Sequence, residues 1–373
     1  MKSVVKVCFV MPKAYPLFNP QVRAVFGGAE VDLYLLATEL ARDANFAVSC
    51  IVADYGQPAV EVRQNVTLFR SLNFKKNLVS KTASLWRALR QTDASIYLQK
   101  AVSWGTFFVA MFCKIHKRAF IYRTATAGEC DGSWPKSYLE RKAFRFSLKQ
   151  ADVVLTQNIA DRDNLRTTTG ISAVAIPNGH ILLPPDQCLR DTVLWVGRSD
   201  KIKRPEVFID LAAEKPDEKF TMICQRATGD NEYDRLTARA AQVKNLEFIE
   251  RVPFAEVDIF FQRASVFVNT SDFEGFPNTF IQACKCGTPI LSLNVNPDDF
   301  LNKYKCGLCA KGDWKTFKNM LAELLAGGSD EYGRNARLYA EQNHDIARII
   351  KQYKEMFYDL VGYKLQDAIK CAE

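Results

Sequence analysis

The sequence of 373 residues predicts an α/β protein made of two doubly wound units. Three observations carry that expectation. Short β-branched runs alternate with stretches of helical periodicity, the pattern of right-handed βαβ units on a parallel sheet. The alternation runs once, breaks at Ile176-Pro177-Asn178-Gly179, and starts again. The length suits two domains of roughly 150–200 residues better than a single core.

Val4 to Val10 (VVKVCFV) reads as a buried first strand. A polar, Pro-containing loop follows and ends in Gly27-Gly28-Ala29-Glu30. Val31, Tyr34, Leu35, Thr38 and Leu40 then recur with helical spacing. Ala47 to Ala53 is a second strand, and Ser84 to Leu89 lies in a helix with Lys81, Arg87 and Arg90 on its polar side. Ser95 to Leu98, Ala119 to Tyr122 and Asp152 to Thr156 are further strands. Pro184-Pro185-Asp186 reads as a linker. Thr192 to Val196 (TVLWV) is the first strand of the second unit, and Gly197 closes that strand. Phe220 to Cys224, Asn245 to Ile249, Ser265 to Asn269 and Pro289 to Leu293 follow as strands. Ala336 to Val361 reads as an amphipathic helical tail.

Hydrophobic residues are 48% and charged residues 25%, as in ordinary globular proteins. The run after Met1 is too short for a secretory h-region. Phe107 to Cys113, the most apolar later run, is far short of the ~20 residues that span a bilayer. A cytoplasmic protein is the expectation. The 11 cysteines are irregularly spaced, which argues against a disulfide framework. Cys306-Gly-Leu-Cys309 is accordingly read as structural thiols.

Charge is uneven. The first 180 residues carry 24 Lys and Arg against 13 Asp and Glu, and the remainder 26 against 29. Such asymmetry speaks about partners rather than fold. Lys75, Lys76, Lys81, Arg87 and Arg90 cluster with Leu78, Leu85, Trp86 and Leu89. A helix lying on the anionic inner face of a membrane has that composition, and so does an ordinary helix with a solvated face. No nucleic-acid-binding motif accompanies the charge, so no nucleic-acid partner is expected.

Three constellations carry chemistry. In SDFEGFPNTFIQACKCGTP, Glu274 follows a strand and precedes a sharp Gly-Phe-Pro turn and a helix start. Helix starts present N–H donors to oxygens and anions. A carboxylate at that place can accept from sugar hydroxyls, or simply complement the helix dipole. In GRSDKIKRP, Arg198 and Lys203 project from a strand-to-helix loop. A guanidinium fork with an ammonium suits a diphosphate, although a solvated basic loop has the same composition. Gly27-Gly28 before a helix allows a backbone to approach a phosphate closely, or makes an ordinary turn. Asp161-Arg162-Asp163 reads as helix capping rather than a metal site. None of His116, His180 and His344 is read as catalytic. Asp131-Gly132 offers either a turn or a carboxylate.

Taken in order, GGAE, GRxxxxK, EGFPNTF with a polar helix position, and CGTPI resemble the family 4 retaining glycosyltransferases of the two-domain GT-B fold. The look is that of bacterial enzymes of surface-polysaccharide synthesis. IPNG and WVGRSDKIKRPEVFIDLA also match, and the resemblance spans nearly the whole chain. It implies two Rossmann-like domains facing a cleft. Residues 1–182 would bind the acceptor and 183–345 the nucleotide sugar, with 346–373 a helical tail returning to the first domain. It implies a hexosyltransferase that moves a sugar from a nucleotide-diphosphate donor to a saccharide or lipid-linked saccharide, with no metal or other cofactor.

The resemblance also implies roles. Arg198 and Lys203 would clamp the diphosphate and stabilise the leaving nucleoside diphosphate. Glu274 would hold the hydroxyls of the transferred sugar, helped by the Gly275, Phe276, Pro277 and Asn278 backbone, with Thr279 in the same donor-binding run. Gln282 would meet the ribose, Gly27 and Gly28 would lie near the diphosphate, and Val252 and Pro253 would border the base. The family usually has a second glutamate where this chain has Gln282. An amide in its place weakens the contact by ~1–2 kcal/mol. Many relatives place a histidine at the acceptor side, where this chain offers Asp131. The departing phosphate can itself take the acceptor proton, so a dedicated base is not required. Two other readings stay open: a sugar-nucleotide epimerase or phosphorylase of the same architecture, and a partner protein that binds nucleotide sugars without turnover.

Overall fold

The computed structural model describes residues 4–184 and 189–370. The chain divides into two compact units, one made of the residues up to Ile181 with those from Ile346 onward, the other Leu182–Asp345. Of the expected linker, Pro185 and Asp186 lie outside the described residues.

The first unit holds an eight-stranded sheet: β1 (Val5–Val10), β2 (Phe46–Val52), β3 (Val60–Arg63), β4 (Val66–Arg70), β5 (Ile96–Lys100), β6 (Ala119–Arg123), β7 (Val153–Thr156) and β8 (Val174–Ala175). The order is β3-β4-β2-β1-β5-β6-β7-β8. Only β3 runs antiparallel to its neighbour, β4. Central strands such as β5 and β6 are buried along their whole length, because helices cover both faces of a parallel sheet. The β3–β4 hairpin does not stand out in the sequence. Its two-residue turn, Gln64-Asn65, has φ of 51° and 63° without a glycine, and β3 is only partly buried.

The second unit holds six parallel strands: β9 (Thr192–Arg198), β10 (Phe220–Gln225), β11 (Leu246–Ile249), β12 (Ala264–Asn269), β13 (Ile290–Ser292) and β14 (Gly307–Cys309), ordered β11-β10-β9-β12-β13-β14. Side-chain alternation splits its core into two layers. Val193, Trp195, Val266 and Val268 pack with the Pro205–Ala213 helix on one face. Leu194 and Phe267 pack with the Asn278–Lys285 helix on the other. Cys306 and Cys309 are buried, and Cys309 ends β14.

Strand order reverses direction at β1/β5 in the first sheet and at β9/β12 in the second. The crevice beyond the carboxyl ends of such strands is where doubly wound sheets bind ligands.

The tail differs from the single helix expected. Ser329–Asn343 is one helix, in the second unit against the Asn278–Lys285 helix. Ile346–Lys370 is another, in the first unit, where Ile346 N–H donates to the His180 carbonyl at 3.0 Å. Periodicity alone does not show that one amphipathic run serves two cores. Gly179 lies against that second helix: a Cβ there would meet Ile346 Cδ1 at 2.5 Å, so the glycine of IPNG is a packing requirement. No helix among the described residues is long and apolar enough to cross a membrane.

Candidate functional site

The second sheet brings Arg198, Lys203 and Glu274 to its β9/β12 switch point. Arg198 is the last residue of β9, and Lys203 ends a short turn before the Pro205–Ala213 helix. Gly197 is needed there because a Cβ would sit 2.7 Å from the Trp195 ring. The loop is tied to the end of β12. Thr270 Oγ1 accepts from Trp195 Nε1 at 3.0 Å and reaches the Lys203 carbonyl at 2.6 Å. Asp272 N–H donates to the Ile202 carbonyl at 2.9 Å. Arg204, at φ 48°, makes the abrupt entry that lets Pro205 open the helix.

Glu274 is mostly buried. Ser271 Oγ donates to its Oε1 at 2.8 Å, and Lys203 Nζ donates to the same oxygen. Arg198 Nη2 meets Asp200 Oδ2 at 2.7 Å. Arg198 therefore faces a carboxylate of its own loop and Lys203 one from the loop after β12, while both keep exposed surface: their side chains are 37% and 24% accessible. A diphosphate can displace Asp200 from Arg198, because an ion pair exposed to about a third contributes little.

Past Glu274, Phe276 turns inward and packs on Phe300 with ring centroids 5.1 Å apart. Its side chain anchors the turn, which leaves backbone to face a ligand. Pro277 caps the Asn278–Lys285 helix, so Asn278 and Thr279 form its donor-rich first turn. Gln282 is the fifth residue of that helix and is 5% exposed. Gly275 lies in the same turn. Val252 and Pro253 sit in the loop beyond β11, two strands from β9.

In the first unit, Gly27 and Gly28 cap and open the Gly28–Leu40 helix, and the Gly27 N–H donates to Glu30 Oε2 at 2.8 Å. Asp131 ends a short helix beyond β6, and its Oδ1 accepts from the Ser133 N–H at 2.8 Å, the bond a turn residue makes. The Asp161 carboxylate and N–H exchange bonds with Asn158, the helix cap, at 2.9 and 2.7 Å. His116 is an exposed helix cap, whereas His180 and His344 are buried.

Sequence reasoning missed a second charged cluster, beyond β5 and β6. Lys100 Nζ and Arg123 Nε each reach Asp32 Oδ2 at 2.9 Å. Arg123 also donates to Asn178 Oδ1 at 2.7 Å, to the Ile176 carbonyl at 2.9 Å and to the Tyr353 hydroxyl at 2.7 Å. Burial pushes the Lys100 ammonium down to about 8, with Asp32 acting against it. Burial also acts to raise Asp32, but Lys100 and Arg123 outweigh it and its carboxyl is held low. Beside them, burial lifts the Glu129 carboxyl to about 7, although Tyr122 donates to it at 2.6 Å. The available signal was charge closing an apolar strand, as in IYLQK and AFIYR.

Residues 26–180 match the family described as Glycosyltransferase Family 4, and residues 190–327 match Glycosyl transferases group 1. No curated protein matches the sequence. Sucrose-phosphate synthase from Thermosynechococcus elongatus superposes with a TM-score of 0.78 at 17% identity, over 96% of this chain and 100% of that one. TarM of S. aureus, in complex with fondaparinux, alpha-GlcNAc-glycerol and UDP, gives 0.75 at 11% identity, over 95% and 99%. The lipopolysaccharide outer core galactosyltransferase WaaB gives 0.62 at 17% identity, over 95% and 99%. Two family matches that together span most of the chain, on two parallel-sheet α/β units of the GT-B fold, place this protein among the family 4 glycosyltransferases.

Proposed function

We propose that this glycosyltransferase moves a hexosyl group, with retention, from a nucleotide-diphosphate sugar to a saccharide or lipid-linked saccharide in surface-polysaccharide synthesis. The single observation that carries the reading is the meeting of Arg198, Lys203 and Glu274 at the β9/β12 switch point. Arg198 and Lys203 neutralise the diphosphate as charge builds on the leaving oxygen. That charge lies on side chains, so no metal is needed for the task. Glu274, ordered by Ser271, accepts from hydroxyls of the transferred sugar. The bond from the anomeric carbon to the diphosphate oxygen breaks, and the acceptor oxygen bonds to that carbon on the same face. The acceptor's proton passes to the departing phosphate oxygen, which leaves Asp131 with a turn to hold.

Support for the acceptor class comes from the relatives, which include a TarM structure with UDP and an outer core galactosyltransferase. The basic first half of the chain suits work at the anionic inner face of a membrane.

The test is transfer from a panel of nucleotide sugars, with the anomeric configuration of the product read by NMR. Retention in the product, with transfer reduced at least a hundredfold in Arg198→Ala, is the expected result. Inversion, or free nucleoside diphosphate and an isomerised sugar formed without acceptor, would replace the reading with inverting or epimerase chemistry.

A further inference from the structure

The Arg198, Lys203 and Glu274 cluster has an apolar rim that the chemistry above does not use. Ile202 and Phe273 are 42% and 58% exposed, and each adjoins a residue placed at the site: Ile202 precedes Lys203, and Phe273 precedes Glu274. The two loops run side by side there. Asp272 N–H donates to the Ile202 carbonyl at 2.9 Å, and Arg204 Nη1 donates to Asp272 Oδ1 at 3.1 Å. Thr270 Oγ1 reaches the Lys203 and Arg204 carbonyls at 2.6 and 3.0 Å. Polar bonds therefore hold the rim together, and its two large apolar side chains stay out of the core. The turn is able to bury an aromatic ring: Phe276, three residues on, is 7% exposed and packs on Phe300.

Glycosyl transfer gives such a rim a task. A nucleotide sugar can be attacked by the acceptor or by water. Water is by far the more abundant nucleophile, so a transferase must keep it from the anomeric carbon while the donor waits. Attack with retention brings the nucleophile in on the face from which the diphosphate leaves. On the proposed reading that face lies between the cations on the diphosphate and the carboxylate on the sugar, which is the stretch that Ile202 and Phe273 border. Neither side chain offers a hydrogen bond that would hold a water there. We infer that Ile202 and Phe273 exclude water from the anomeric carbon, so that the enzyme transfers its sugar instead of hydrolysing its donor. The reaction they suppress is fully specified. A water oxygen bonds to the anomeric carbon, the bond from that carbon to the diphosphate oxygen breaks, and the water's proton passes to the departing phosphate. Free sugar and nucleoside diphosphate are released. This inference rests on the reading of Arg198, Lys203 and Glu274 as the donor site.

The test needs no acceptor. UDP-glucose, UDP-galactose, UDP-N-acetylglucosamine and GDP-mannose are each incubated with the full chain and with Phe273→Ser, Ile202→Ser and Phe273→Leu, and the free sugar is measured. Both positions are exposed, so the unfolding midpoint and the affinity for nucleoside diphosphate should stay at the parent's values. The expected result is hydrolysis raised about tenfold or more in Phe273→Ser, raised less in Ile202→Ser, and close to the parent in Phe273→Leu, which keeps an apolar side chain. A merely structural rim would lower turnover together with the midpoint. Hydrolysis that stays at the parent's level in every variant, zero included, would overturn the inference. So would a rise that comes only with a fallen midpoint. Nucleoside-diphosphate binding by the parent separates the two claims. If it persists while hydrolysis does not change, the rim is wrong and the donor site stands. If the parent binds none, the donor site falls and the rim falls with it.

Discussion

Each unit closes its central strands in charge, and the two clusters differ in what surrounds them. Beyond β5 and β6, the Lys100 and Arg123 side chains are 2% and 0% accessible. The guanidinium of Arg123 is satisfied by Asp32, Asn178, Tyr353 and a backbone carbonyl. Beyond β9 and β12, Arg198 and Lys203 keep one carboxylate neighbour each and an open side. A buried charge with every guanidinium nitrogen bonded holds structure, here the IPNG segment and the Ile346–Lys370 helix against the sheet. A partly exposed charge such as Arg198, paired with Asp200 on its own turn, can trade that partner for a ligand. The same residue types at the same topological place thus differ in burial and, on the proposed reading, in role.

The comparison can be broken by exchanging the expected losses. Arg123→Met should lower stability by about 3–5 kcal/mol, read as a fall in the urea midpoint, because it leaves Asp32 to Lys100 alone and takes the donor from the buried Ile176 carbonyl, Asn178 Oδ1 and Tyr353 hydroxyl. Arg198→Ala should leave the midpoint where it is. If Arg198→Ala destabilised as much, the second cluster would be structural too.

The next effect is on pH. Burial puts the Glu129 carboxyl at about 7, against an ordinary value of about 4.5. The folded chain then binds this proton more tightly than the unfolded one. The stability it contributes is complete below about pH 4.5 and is lost as pH rises through 7. Glu129→Gln keeps an acceptor for the Tyr122 hydroxyl and removes the titration. The variant should therefore gain on the parent by roughly 2–3 kcal/mol between those pH values, measured by urea unfolding at each pH. Parallel pH curves would show that Glu129 is ionised in the fold.

A smaller gain is expected in the donor cluster. Gln282→Glu should tighten nucleoside-diphosphate binding by ~1–2 kcal/mol if the position meets ribose hydroxyls, seen by calorimetry. Unchanged affinity would take the ribose contact away from this residue. The smallest effect belongs to Asp200. Removing its charge with Asp200→Asn frees Arg198 from an exposed pair, which should improve the same affinity by up to about fivefold.

The sequence showed the second unit more fully than the first. TVLWV, GR and EGFP are local signals: an apolar strand, a glycine that clears Trp195, a turn that opens a helix. Each keeps its meaning in the fold. The buried cluster of the first unit draws on Asp32, Lys100, Arg123, Asn178 and Tyr353, spread from the Gly28–Leu40 helix to the Ile346–Lys370 helix, and no local pattern joins them. The β3–β4 hairpin was hidden for another reason, since its turn takes left-handed residues without the glycine that marks such turns. In the tail, periodicity from Ala336 to Val361 hid the break before Ile346 that makes two helices, although the resemblance already turns residues 346–373 back to the first domain, where the units divide.

The most direct measurement is calorimetric binding of UDP, GDP, ADP, CDP and dTDP to the parent chain and to Arg198→Ala and Lys203→Ala. The account predicts one preferred nucleoside diphosphate, and a loss of binding of about tenfold or more in each variant at unchanged unfolding midpoint. Equal binding by parent and variants would contradict the assignment of the diphosphate to Arg198 and Lys203. So would a parent chain that binds none of the five.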